Sequence, residues 1–168
     1  MNMNDVILEA TALTKHELGM GMSSYQNKEI FLAGGMRSGN SDSEHTRLKF
    51  MVYDIRGVEP EEFRDRQEEL EMGFVELFVV DATGEIDGLV NIKLEPKARG
   101  NGVGRIVIES LKATAGSLKI FDIKRSAIPF WKKMGATFYK DQHFVTPIEK
   151  PTNVALQRAT KFGLYAII

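Results

Sequence analysis

Cysteine is absent from the 168 residues. That excludes disulfides, thiol catalysis and cysteine-held metal sites. Histidine is scarce, and His16, His45 and His143 have no partner at a metal-ligand spacing, so no metal is expected. No basic segment followed by an apolar run opens the chain, and no apolar stretch is long enough to span a bilayer. A cytoplasmic protein without a membrane partner is the default expectation. Internal repeats are missing, and only residues 34–44, small, polar and glycine-rich, have the composition of a linker. The expectation there is a mobile loop within a single domain covering 1–168.

What is present suits an ordinary globular domain, with 43% hydrophobic and 27% charged residues and a net charge of −1. The charge is unevenly spread. Residues 54–71 carry eight acids against three arginines, whereas residues 93–133 carry ten bases against three acids. Two solvated faces would account for this. A basic side for a polyphosphate and an acidic side for a cationic substrate would account for it equally.

The most informative stretch is residues 86–111. Ile86, Gly88, Val90, Ile92 and Leu94 alternate as in a half-buried strand, which Pro96 ends. Val103, Ile106, Val107 and Leu111 then fall at helical spacing. Between them lie Arg99, Gly100, Asn101, Gly102, Val103, Gly104 and Arg105. Glycines here allow positive φ and close approach to a ligand. The amides at a helix N-terminus suit a phosphate. Two familiar phosphate loops do not fit. The dinucleotide fingerprint would need glycine where Arg105 stands, and no Gly-Lys-Ser/Thr occurs.

Other segments read as follows. Residues 6–13 suit a strand or a short helix. Thr14 and Glu17 have capping-box spacing, predicting a helix after Thr14 that continues patchily through Met20, Met22, Ile30, Phe31 and Leu32. A strand is expected over 48–55, and a charged helix from Pro60 to about Met72, stopped by Gly73. Strand 74–80 turns at 81–85 into the strand of residues 86–94. With a two-residue turn at Thr83 and Gly84, paired residue numbers sum to 167. That register puts Val75, Leu77 and Val79 opposite Ile92, Val90 and Gly88, and Glu76 opposite Asn91 on the other face. A strand over 118–123 closes a βαβ unit and should be parallel to the first. Ser126 and Gly135 bracket a short helix as N-cap and C′ residue. Residues 137–140 and 142–146 suggest a hairpin, 147–161 a loop and helix, and 162–168 a last strand.

The order of hydrophobic strand, Arg99-x-x-Gly102-x-Gly104 and amphipathic helix resembles the signature of the GNAT-type N-acetyltransferases. Residues 124–139 are similar to that family's second motif, with Ala127, Phe130, Lys133 and Gly135 matching. The resemblance covers residues 88–139. It implies an α/β fold with a mixed, mostly antiparallel central sheet and flanking helices. It also implies acetyl transfer from acetyl-CoA to a primary amine by direct attack. The amides of residues 99–104 would hold the pyrophosphate, the backbone of Asn91, Ile92 and Lys93 would face the pantetheine, and Lys93, Arg99, Arg105, Lys124 and Lys133 would meet the phosphates.

Two positions depart from the second motif: Lys124 replaces its asparagine and Trp131 its tyrosine. In many members that tyrosine protonates the departing thiolate. An indole N–H is donor-only and no practical acid, so Trp131 is expected to pack against the pantetheine or within the core. Tyr139, a water or no residue would then supply the proton. For deprotonating the amine, Glu76 is the first candidate, ahead of Glu95 and Asp122. A non-catalytic acyl-CoA-binding or scaffolding protein is the alternative. Nucleic acid enters only as a charged tRNA acceptor. The acceptor otherwise ranges over small molecules, peptides and proteins, and pairing in many family members raises the expectation of a homodimer.

Overall fold

Alternation along the strands decides which side of the sheet is buried. In β4 (His45–Asp54) Phe50 and Val52 are buried, in β5 (Glu71–Val80) Val75, Leu77 and Val79, and in β6 (Ile86–Leu94) Ile86 and Leu89. All lie on one face, where each fully buried aliphatic or aromatic side chain contributes about 1.5–3 kcal/mol. The computed structural model describes residues 11–19, 22–38 and 45–168. Ahead of β4 come β1 (Thr14–Gly19), β2 (Met22–Gln26) and β3 (Ile30–Arg37). Helix α1 (Pro60–Leu70) joins β4 to β5. After β6 follow α2 (Val103–Ala115), β7 (Lys119–Ile120), α3 (Ile128–Lys133), β8 (Thr137–Tyr139), α4 (Asn153–Ala159) and β9 (Tyr165–Ile167).

Among the described residues these strands form one nine-stranded sheet in the order β1-β2-β3-β4-β5-β6-β7-β9-β8. Every neighbouring pair is antiparallel except β6 and β7, which α2 connects in parallel. Helix α2 buries Val103, Val107, Ile108 and Leu111 in the same core as the inner face of the sheet. Its buried Ser110 is satisfied by the Asn27 side-chain amide at 2.8 Å. Helix α1 covers part of the opposite face, where Phe63 stands edge-on to Phe31 and Tyr53, with ring centroids 5.5 and 5.2 Å away. The fold is therefore α/β, with a mixed and mostly antiparallel sheet flanked by helices, as expected.

Several local expectations fail. Residues 14–19, 22–26 and 30–37 are strands, not a patchy helix. Pairing with the neighbouring strands overrides the capping-box spacing of Thr14 and Glu17. Gly34, Gly35, Met36 and Arg37 belong to β3 and not to a loop; residues 6–10, Met20 and 39–44 lie outside the described residues. Gly73 does not stop α1. It lies inside β5 at φ 133, and a Cβ there would come within 2.0 Å of the Lys93 carbonyl oxygen.

The β5–β6 register sums to 167 from Gly73 to Glu76 and then slips at two irregularities, so Leu77 faces Leu89 and Val79 faces Ile86. Ser126 lies in a 3-10 turn (Arg125–Ala127), and Ala127 is the N-cap of α3, whereas Gly135 does follow that helix at φ 76. Strand β7 is shorter than the expected 118–123. Residues 142–146 form no strand, because the Asp141 carboxylate accepts the amides of His143, Val145 and Thr146 and ties the chain into a loop.

Candidate functional site

The parallel pair at the centre of the sheet stays together only briefly. Gly88 pairs with Lys119 and Leu89 with Ile120, and the Phe121 amide then donates to the Leu89 carbonyl at 2.9 Å. Gly88 permits this approach, since a Cβ there would meet Phe121 Cε2 at 2.4 Å. Two devices then part the strands. Val90 is the extra residue where the β5–β6 register slips between Glu76–Asn91 and Leu77–Leu89, and such a bulge bends its strand. Asp122 takes φ 50 and turns the other chain aside. Beyond Val90, β6 has no strand beside it on that edge among the described residues.

The gap is a cleft of about 460 Å³. Val90, Asn91, Ile92 and Lys93 line one side, and Asp122, Ile123, Lys124, Ser126, Ala127 and Trp131 the other, with Arg47 also at its surface. Trp131 is 3% exposed, packs edge-on to Phe130 at 4.9 Å, and belongs to the core while forming part of the wall.

The glycine-rich loop stands at the end of β6. Gly100 and Gly102 take φ 81 and 75, and no atom lies within 4 Å of a Cβ built on either. The first bond of α2 runs from the Ile106 amide to the Gly102 carbonyl at 3.0 Å. No protein acceptor among the described residues meets the amides of residues 100–105. Gly100, Asn101, Gly102 and Arg105 are exposed, and the amides at this helix terminus carry a partial positive charge. Arg56 braces the loop by donating to the Asn101 carbonyl at 3.1 Å, and is itself held by Asp54 at 2.8 and 2.9 Å. Burial raises the Asp54 carboxyl, but the Arg56 hydrogen bonds outweigh it and hold the group below the usual carboxylate range.

Val103 is buried and pins the first turn of α2 to the core. Gly104 sits against Leu94 and Phe130, where a Cβ would lie 3.3 and 3.8 Å from their side chains. The loop does not line the cleft. It adjoins it, because Leu94 continues the β6 wall and Phe130 neighbours Trp131. Lys93, Arg99, Arg105, Lys124 and Lys133 are all exposed, with Arg105 3.8 Å from Glu109.

Glu76 and Asn91 meet as the register requires, with the Asn91 amide 3.3 Å from Oε1. Glu76 Oε2 also accepts from Ser38 Oγ at 2.7 Å and from Arg47 Nε at 3.0 Å. The residue is 9% exposed. Burial pushes its carboxyl up, but the bonds from Ser38, Arg47 and Asn91 prevail and lower it below the ordinary glutamate value. Tyr139 is placed elsewhere. It lies on β8, separated from β6 by β7 and β9, with its ring 5.7 Å from Phe144, and it does not line the cleft. Tyr165 does not line the cleft either; burial first, then the charge of the neighbouring Asp122, raise its hydroxyl above the usual tyrosine range.

Ser38, Arg47 and Tyr165 carried no motif. The alternation of His45, Arg47 and Lys49 with Thr46, Leu48 and Phe50 is the sequence signal that would have extended β4 and placed Arg47 beside Glu76. Among the described residues no group of three or more metal-ligating side chains can hold an ion, and no helix is long and apolar enough to cross a membrane. No protein-family model and no curated protein matches the chain.

Proposed function

We propose that the chain is an acetyl-CoA-dependent N-acetyltransferase of GNAT architecture, acting on a primary amine. One observation carries this reading: the parallel strands β6 and β7 part after two residue pairs, next to an outward-facing loop of unpartnered amides. A diphosphate suits the loop, since Gly100 and Gly102 leave the amides accessible and Arg99 and Arg105, on either side of it in the chain, are exposed. The free edge of β6 at Asn91, Ile92 and Lys93 suits an amide-bearing chain such as pantetheine, which can add hydrogen bonds as a missing strand would.

In the reaction the acceptor ammonium loses a proton and the amine attacks the thioester carbonyl carbon. The carbon–sulfur bond breaks, the sulfur leaves as thiolate, the acylated nitrogen loses its second proton to water while the thiolate gains one, and the neutral amide is released. Holding the two reactants at the parted strands supplies much of the acceleration. Glu76 is ionised at neutral pH, but it gives up hydrogen bonds if it takes a proton. Its larger part is to fix Asn91 beside the cleft. Tyr139, beyond β9, is given no step. Trp131 supplies no acid, so turnover is slower than with a positioned acid, by about 10²- to 10⁴-fold.

The buried Trp131 also favours a second reading, an acyl-CoA-binding protein without transfer activity. Incubation with radiolabelled acetyl-CoA and a mixture of primary amines separates the two. Labelled amide supports the enzyme; binding with no labelled product at any amine supports the second reading instead.

A further inference from the structure

Among the described residues, Asp122 and Phe144 are the two non-glycine residues with positive φ, at 50 and 58. Strain of this kind collects at functional sites. Both lie near Tyr165, whose hydroxyl feels the Asp122 charge and whose ring centroid is 6.1 Å from that of Phe144. Phe121, adjacent to Asp122, lies edge-on to Phe144 at 5.4 Å and to Phe78 at 5.1 Å. The loop bearing Phe144 is fastened by three amides on Asp141. Phe121, Phe144 and Phe78 are only half-buried, so part of this ring cluster faces solvent. Phe121 and Asp122 are also walls of the cleft.

The turn at position 122 needs no charge, because glycine takes that conformation without steric cost. The exposed Asp122 carboxylate puts a negative charge at the cleft, beside an apolar surface. Over the Phe144 ring stands Lys119, 5.9 Å from its centroid and 3.4 Å from Asp87. A second cation on a ligand would be repelled there, whereas a neutral ring would not.

Resting on the acetyl-transfer reading, we propose that Asp122, Phe121 and Phe144 form the acceptor subsite, and that the acceptor is a primary monoamine carried on an aromatic or bulky apolar group. The ammonium sits on Asp122 and the apolar group covers the rings. On transfer the ammonium gives one proton to Asp122 or to water, nitrogen bonds to the acetyl carbon as the carbon–sulfur bond breaks, and the second nitrogen proton passes through water to the leaving thiolate.

The test compares kcat and KM for phenethylamine, ethylamine and putrescine in the wild type, Asp122→Asn and Phe144→Ala, with acetyl-CoA affinity measured by calorimetry on each protein. Phenethylamine is expected to have a KM about tenfold or more below the other two. Asp122→Asn, which tolerates the left-handed backbone, should raise that KM about tenfold while leaving acetyl-CoA affinity unchanged. Phe144→Ala should remove the discrimination between phenethylamine and ethylamine. If acetyl-CoA binds and the three amines have equal KM, or Asp122→Asn leaves amine KM unmoved, the subsite is overturned and the acetyltransferase reading stands. If acetyl-CoA does not bind at all, that reading falls and the subsite with it.

Discussion

The two flanks of β6 behave differently. On one side, β5 pairs with it from Gly73–Leu94 to Val79–Ile86, through two irregularities and without a gap. On the other, β7 pairs at two positions and leaves. The first flank is sealed by buried Val75, Leu77 and Leu89, and its polar residues form a closed set around Glu76. The second leaves strand edge, helix-terminal amides and an exposed carboxylate open to a ligand. Where hydrogen bonding along the sheet is complete the residues serve the fold, and where it stops they are available for chemistry.

The sealed flank should be the more sensitive to added volume. Gly73→Ala would bring a Cβ within 2.0 Å of the Lys93 carbonyl oxygen at φ 133. A loss of about 4 kcal/mol is expected in urea unfolding. A loss below about 1 kcal/mol would mean that this flank yields more easily than its pairing implies. Gly88→Ala meets the side chain of Phe121 at 2.4 Å and the Lys119 carbonyl at 3.0 Å. Because a ring can shift, about 2 kcal/mol is expected, together with roughly tenfold weaker acetyl-CoA binding as the cleft walls move.

Glu76→Gln sharpens the comparison through pH. The folded carboxyl lies below its ordinary value, so its charge stabilises the fold above the unfolded pKa of about 4.3, and that contribution is lost as pH falls through the folded pKa. At neutral pH the wild type should be more stable than the variant by about 1–2 kcal/mol, with Glu76 12% and Arg47 26% exposed. The difference should shrink as the solution is made more acidic. A gap constant across that range in denaturation midpoints would contradict the network. Arg56→Ala should have the smallest effect. Its side chain is 38% exposed, so stability should change by less than about 1 kcal/mol, while loss of the brace on Asn101 weakens acetyl-CoA binding about threefold by calorimetry.

The open flank was also the more legible in sequence. Glycines, proline and a switch from alternation to helical spacing are local signals, and they marked the end of β6, the loop and α2. The pairing of Val75 with Ile92 and Glu76 with Asn91 followed from turn length and alternation. The slip beyond Glu76 did not, because a bulge adds a residue without changing which residue types are present. Strand β1 was hidden for another reason: Thr14, Lys15, His16, Glu17 and Leu18 are all exposed at the sheet edge, so no buried face marks the period. Gly73 shows how one residue type serves two purposes. Its position after a helix suggested a stop, whereas its lack of a side chain admits the backbone of β6. Phe144 packs on Tyr165 and Phe121, contacts distant in sequence that no local pattern announces.

The most direct measurement is calorimetric titration of acetyl-CoA into wild type, Gly102→Glu and Gly116→Glu. Gly102 and Gly116 cap the two ends of α2 at φ 75 and 79, each with no atom within 4 Å of a built Cβ. Gly102 has ψ 6, in the left-handed region that a side chain can enter, and Gly116 has ψ -49, outside it. Gly116→Glu is therefore the more strained of the two, and only Gly102→Glu brings negative charge to the loop amides. Wild type and Gly116→Glu are expected to bind, and Gly102→Glu to lose roughly a hundredfold or more in affinity. Equal affinity in all three, or no binding by the wild type, would contradict diphosphate binding at the loop.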